Sequence, residues 1–451
     1  MRSTTPRTKH STTPRTKHST TPGTRLRATL AAAALVAAVT AATLPAASAA
    51  PDAAPGTERV SVAADGTQTD GASELPDVSA DGRYVVFSTE AKNLVPGDTD
   101  TWPDVYVRDL RRGTVERVSV QDSGAEFTDF VGQRPTISAD GRYVTFAAVS
   151  YDADGHYYSG IYLRDLKKKR TELVSLSDAD KPVTGESATP ARTSADGRYV
   201  TFVSQLKENG DYVDGMNTGV YVRDRKKGTT KRISEIVTGS ASSSYFISQF
   251  TVSADGSHIG YSIGQQRPGL DGRTYIYDVK AGQGRRLDLT PSGADREVGV
   301  DSLSQDGRYG VFSARSGDLV PGDTNEKYDI FRIDLRTDAI ERIVYDAEGS
   351  QTDGNSTEAR ITPDGRRVVF SSSASGLVAD DPGHGSLYVR DLRTGKNQRV
   401  DVPQGGGDAD SSVSHYALSA DAGTVAFSSD ATNLVSGDTN GVRDVFVRHL
   451  R

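Results

Sequence analysis

The chain has no cysteine. Disulfides, thiolate metal sites, cysteine nucleophiles and a lipidated cysteine anchor are therefore excluded. Tryptophan is nearly missing too, with Trp102 the single example. No stretch carries a sustained helical period of apolar residues, which argues against long helices. No G-x-S-x-G elbow and no H-E-x-x-H motif occurs, so two common hydrolase signatures are lacking. Long hydrophobic runs are absent after the Ala-rich stretch 28–44. Basic charge is short in the same region. Residues 1–49 hold seven basic residues and no acid, so of 53 basic and 60 acidic residues the remainder keeps 46 and 60, a net −14. Phosphate-backbone binding needs the opposite balance, so nucleic acid is not an expected partner.

The first 49 residues read as a signal peptide with an extended basic region. Arg25-Leu26-Arg27 ends the basic part, an apolar run follows to Leu44, and Ala47-Ser48-Ala49 offers small residues at the cleavage positions, so a mature start at Ala50 is expected. The basic part contains a tandem copy, 3–10 and 11–18. No Arg-Arg pair precedes the apolar run, which favours the general secretory route over the twin-arginine one. The run is shorter than the ~20 apolar residues of a membrane span, so a secreted protein is expected rather than an anchored one. A short linker, 50–56, leads to one domain over 57–451.

That domain is a repeat. Ser-Ala-Asp-Gly-Arg-Tyr-Val starts at Ser79, Ser138 and Ser194, and looser copies start at Ser253, Ser304, Thr362 and Ser419. The turn aspartates are Asp81, Asp140, Asp196, Asp255, Asp306, Asp364 and Asp421. Each unit reads as four strands. In the first, a strand ends at Val78 and Asp81-Gly82 turns the chain with residues that tolerate positive φ. Residues 83–88 and 104–110 are rich in β-branched and aromatic side chains, and residues 114–120 complete the unit. Seven units of four strands predict an all-β, seven-bladed β-propeller. Thr57–Val62 reads as a fourth strand with no first three before it, and the last unit stops after its third. The N-terminal strand is thus expected to complete the last blade beside Val445–Val447 and remove the open edges.

The S-x-D-G turn, the R-Y-V-x-F strand and the D-V-Y-V-R-D-L strand resemble the WD40-like, PD40-type propeller repeats of TolB and other secreted bacterial proteins. The resemblance spans essentially residues 51–451. It implies the propeller fold and leaves function open. The Trp-Asp signature of WD40 proteins is missing, and so are the extra N-terminal domain and six-blade count of TolB itself, which speaks against TolB's own envelope role.

Strand alternation places the Asp-Gly and Arg-Asp turns on one face and the two long loops of each unit on the other, the default binding surface. There, Asp98-x-Asp100-x-x-x-Asp104, Asp323-x-Asn325-x-x-x-Asp329 and Asp438-x-Asn440-x-x-x-Asp444 each follow a Leu-Val-x-Gly stretch. Clustered oxygen donors suit Ca²⁺. The same residues also suit turn capping, in which they bond loop amides. The repeated Arg-Asp pairs (Arg108-Asp109, Arg164-Asp165, Arg223-Asp224, Arg390-Asp391) are expected to hold turns or bridge blades. The aromatic of R-Y-V-x-F is expected in the inter-blade core. Unrepeated loop residues are the partner-binding candidates: Trp102, Tyr151, His156, Tyr157, Tyr158 and Tyr212, with Tyr245 and Phe246 beside them.

The leading expectation is a secreted, monomeric, non-enzymatic propeller binding a protein or glycan through its loop-rich face. The competing one is a carbohydrate-active enzyme, a lyase or glycosidase working in the channel. A convergent His/Arg/Glu set on first strands would favour the enzyme, and His415 and Arg192 fall near such positions.

Overall fold

The structure is a computed structural model. It describes residues 56–450 apart from 99–101, 128–133, 152–156, 178–188, 205–218, 235–244, 254–255, 266–272, 288–299, 316, 380 and 382–384. Twenty-eight strands, numbered β1–β28 in chain order, make seven four-stranded antiparallel sheets, and no helix occurs among the described residues. The first full blade is β2 (Ser73–Val78), β3 (Tyr84–Thr89), β4 (Asp104–Asp109) and β5 (Thr114–Arg117), paired in sequence order. The last blade is β26 (Val413–Leu418), β27 (Thr424–Ser429), β28 (Asp444–His449) and then β1 (Gly56–Arg59). β1 runs antiparallel to β28, with Gly56 opposite His449 and Arg59 opposite Phe446. The ring therefore closes through the chain's two ends, as the missing strands predicted.

Each blade is held by one aromatic pair. Phe87 of β3 lies opposite Tyr106 of β4, and both are fully buried. The pair recurs in every blade as Phe146–Tyr162, Phe202–Tyr221, Tyr261–Tyr275, Phe312–Phe331, Phe370–Tyr388 and Phe427–Phe446, stacked at 5.3–6.3 Å between centroids. Such pairs bury large apolar area and add about 0.5–1.5 kcal/mol each beyond it.

The Asp-Gly turn works differently from the expectation in one respect. Only the glycine takes positive φ, 67° at Gly82. Asp81 instead accepts bonds from Ser79 Oγ (2.7 Å) and the Arg83 amide (3.1 Å), and Ser79 Oγ accepts from the Tyr84 amide (3.0 Å). The glycine is also a packing requirement. A Cβ at Gly141 would lie 2.5 Å from Tyr84, and one at Gly197 would lie 2.4 Å from Tyr143, in each case the tyrosine of the preceding blade. The seventh turn departs from the rule: Ala422, fully buried, takes the left-handed φ of 50°.

The repeated charges are structural. Asp109 receives Arg83 through two bonds (2.9 and 2.6 Å) and also accepts the Arg111 amide of the next turn (3.1 Å). Arg142–Asp165 (2.6 Å), Arg198–Asp224 (2.8 Å) and Arg308–Asp334 (3.0 Å) repeat the arrangement. Arg108 donates to the carbonyl of Val62 (2.9 Å) and Arg223 to that of Ser177 (3.3 Å), each on the outer edge of the preceding blade. The Arg-Asp pairs thus hold turns and bridge blades together.

Candidate functional site

The Asp-x-Asp/Asn loops are built around arginines. In the first blade Arg117 of β5 reaches Asp104 (3.0 Å), Asp98 (3.9 Å) and Glu126. These three acids have carboxylate oxygens within 4.8 Å of one another. In the last blade Arg59 of β1 reaches Asp438 (2.9 Å) and Asp444 (3.5 Å). In the fifth, Arg342 lies 3.6 Å from both Asp323 and Asp329. Asn325 and Asn440 donate their amides to Asp329 (2.9 Å) and Asp444 (3.0 Å), so their nitrogens, not their oxygens, face the carboxylates. Burial, opposed by Ser119 and Arg117, pushes Asp104 up to about 6. One guanidinium thus stands among two or three carboxylates in each loop, and the Asp98, Asp104 and Glu126 oxygens are also close enough together to share a cation.

The aromatic candidates divide. Asp100, His156 and Tyr212 lie outside the described residues. Tyr151, Tyr157 and Tyr158 belong not to a loop but to two long strands, β7 (Tyr143–Tyr151) and β8 (Tyr157–Asp165), with Tyr151 opposite Tyr157. Tyr245 and Phe246 likewise open a strand, β14 (Tyr245–Val252). The apolar alternation simply continues beyond the usual six residues in these units. Trp102 stays on the surface, 46% exposed.

The richest chemistry is in the channel. First strands β2, β6 (Thr136–Ile137), β10 (Thr189–Thr193), β14, β18 (Ser302–Leu303), β22 (Ser356–Ile361) and β26 surround a cavity of about 350 Å³, and a smaller one of about 150 Å³ continues toward the Asp-Gly turns. Asp77, Thr136, Arg192, Arg360 and Ala417 line both, so they form the waist. Arg134, Asp301, Glu358, His415 and Tyr416 line the larger cavity, whose wall at Ile247, Phe250 and Val300 is apolar. Below the waist the lining turns small, with Ala80, Ala139, Ser253 and Ala420.

Bulges aim these side chains. The pairing register slips between Glu74 and Asp77 in β2, between Thr357 and Arg360 in β22, and between Val413 and His415 in β26. Leu75 (φ 56°), Arg134 (52°) and Glu358 (59°) are held in the left-handed region at the equivalent place, six residues before the turn aspartate. Such backbone costs about 1–3 kcal/mol per residue and is characteristic of positions that shape a site.

The acids and the cations of the channel are used unequally. Asp77 accepts the Ile137 amide of the next blade (2.9 Å). Asp301 accepts Ser313 Oγ (3.1 Å) and the Ala359 amide across the blade junction (3.2 Å). Tyr416 donates to the Glu358 carbonyl and offers its ring face to Arg360, whose Cζ lies 5.7 Å from the centroid. These groups tie blades together. Among the described residues, the guanidinium groups of Arg134, Arg192 and Arg360 make no hydrogen bond and no ion pair within 4 Å, and His415 Nδ1 is buried with no partner. Burial, then repulsion from Arg360 and Arg134, lowers the Arg192 pKa, with Asp77 opposing. Burial raises Asp77 and carries Asp301 up to about 6, and it lowers His415, leaving the imidazole neutral at neutral pH.

Arg192 and His415 were visible in the sequence as channel candidates. The other channel groups were not singled out. The signal was available: Asp77, Arg192 and Arg360 each stand four residues before a turn aspartate, and Arg134, Glu358 and His415 six before.

No protein-family model matches the chain, and no curated protein matches it in sequence. Solved structures do match. The β-propeller domain of the Trilobed protease from Pyrococcus furiosus, described as having an open velcro topology, is 12% identical, with 84% of this chain and 96% of that one covered and a TM-score of 0.53. An oligogalacturonate lyase from Vibrio parahaemolyticus is 14% identical over 88% of this chain and 97% of its own, with a TM-score of 0.51. A putative TolB from Agrobacterium tumefaciens is 17% identical over 77% and 98%, with a TM-score of 0.38. At these identities the likeness is one of fold. The chain is a seven-bladed β-propeller, similar in fold to the propellers of a protease and a lyase.

Proposed function

We propose that this is a secreted, monomeric, non-catalytic propeller that binds a glycan or protein partner through its loop-rich face. One observation carries the reading. Asp77, Asp301 and Tyr416 are engaged in bonds between blades, while three arginines from three blades face the cavity. Groups already committed to backbone bonds are poorly placed for proton transfer, whereas unpaired guanidinium groups are ready for a ligand. The signal-like residues 1–49 support export. The arginine-centred loops would then brace that face, with Ca²⁺ as a possible additional ligand of their acids.

The competing reading is a channel enzyme acting on carbohydrate. It draws on His415, a neutral imidazole with an unpartnered buried nitrogen, and on the likeness in fold to a lyase. One experiment separates the two. The mature protein is run on gels containing pectin, xylan or chitin, and the same mixtures are assayed for reducing or unsaturated ends. Retardation by at least one polysaccharide without product is expected. Product release that disappears in His415→Ala would replace the binding reading with the enzymatic one.

A further inference from the structure

Resting on the binding reading, we infer that the larger channel cavity is a site for a carboxylated sugar of the uronate type, with the acid group held at the waist by Arg192 and Arg360 and capped by Arg134.

The argument begins with charge. Three guanidinium groups converge from the second, third and sixth blades, and none has a hydrogen-bonded or ion-paired partner among the described residues. The three groups repel one another across the cavity, and an anion held between them relieves that cost. Guanidinium is also the side chain whose donor fork matches a carboxylate through two parallel bonds. Arg360 is steadied from behind by the face of Tyr416, so part of its ordering is complete before a ligand arrives.

The acids narrow the class of anion. Asp77, Asp301 and Glu358 share the cavity with the arginines, so the formal charges of the lining sum to zero. A doubly charged phosphate would meet three carboxylates. A ligand with a single carboxylate meets the arginines and can present hydroxyls to the acids. Glu358 is exposed in the cavity and can accept them. The wall opposite offers Phe250 and Val300, an apolar surface for the CH face of a sugar ring. The cavity volume of about 350 Å³ falls within the range of small-ligand pockets. The small residues below the waist leave the turn side uncharged, so the ligand enters from the loop-rich face.

The test is calorimetric titration of the mature protein with glucuronate and galacturonate, using glucose, galactose and inorganic phosphate as comparisons. At least one uronate is expected to bind at least tenfold tighter than the neutral sugars and phosphate. Arg192→Gln should weaken that binding at least tenfold, and Arg134→Gln, at the exposed rim, by a smaller factor. Arg192→Gln should melt no lower than the parent, because it removes an unpaired buried charge. Equal binding of phosphate, equal binding of neutral sugars, or no binding of either uronate overturns the inference. So does uronate binding that Arg192→Gln and Arg134→Gln leave unchanged. The binding reading fails separately, if no polysaccharide retards the protein on gels. Retardation equal for neutral and acidic polysaccharides would keep that reading and remove this inference.

Discussion

Six residues after each turn aspartate stands an aromatic ring, six times phenylalanine and once tyrosine (Tyr261). Six residues before it stand Leu75, Arg134, Pro190, Gln249, Val300, Glu358 and His415, no two alike. The first set lies on the second strand of each blade and is buried against the third strand. Of the second, Leu75, Arg134, Val300, Glu358 and His415 line the channel. Every blade must fill the same space between its neighbours, so the first position has one physical solution. The channel imposes no such shared demand: Val300 packs into a blade core while Arg134 and Glu358 are exposed. Divergence inside a repeat therefore locates the places that symmetry does not need.

The comparison can be broken at several points. Phe202→Ala should cost about 3–5 kcal/mol, since a fully buried ring leaves a cavity between sheets. Urea denaturation would measure it, and a cost below 1 kcal/mol would mean the aromatic pairs are not the common support. Gly197→Ala should cost about 2–4 kcal/mol, combining left-handed backbone with a Cβ set against the Tyr143 ring. Tyr143→Ala in the same chain should recover part of that loss, and simple additivity would deny the contact.

At the channel the expected effects are smaller and depend on pH. The folded protein raises the Asp301 pKa from 3.8 to about 6. Folding thus favours the protonated acid, and its contribution is fully present below about pH 4 and lost as pH rises through 6. Asp301→Asn should gain stability relative to the parent between pH 4 and 7, by on the order of 1 kcal/mol. Melting curves that stay parallel across this range would show Asp301 to be an ordinary solvated acid. The smallest effect is expected from metal. With arginines inside the Asp-x-Asp/Asn loops, EDTA and excess Ca²⁺ should leave the melting temperature unchanged. A ligand at 100 times its Kd would add about 2.7 kcal/mol, so a Ca²⁺-dependent rise lost in Asp438→Ala would require the arginines to yield their places.

The fold was legible because its instructions are local. An S-x-D-G turn between short β-rich segments specifies a hairpin from a dozen residues, and seven copies specify the ring. The seam was legible for the same reason, since Thr57–Val62 matched the outer strands and lacked a blade of its own. The loops were legible as places, not as contents. Arg117 fills the first one from the adjacent strand, opposite Tyr106, and only the strand register reveals it. The channel was harder still. Asp77, Arg134 and Arg360 come from different blades and meet only after closure, and the bulges beside Asp77 and Arg360 leave no mark in an alternating pattern.

The seam has a consequence for how the molecule comes into being. Ser61 and Asp444 share a buried hydrogen bond although 383 residues separate them. No earlier portion of the chain can supply that partner, so the circle stays unsealed until the final strand arrives. Until then the channel lacks the wall that His415, Tyr416 and Ala417 supply, including the ring that faces Arg360. Assembly of the last blade and completion of the channel are thus one event, and a chain that stalls short of Asp444 should be defective in both.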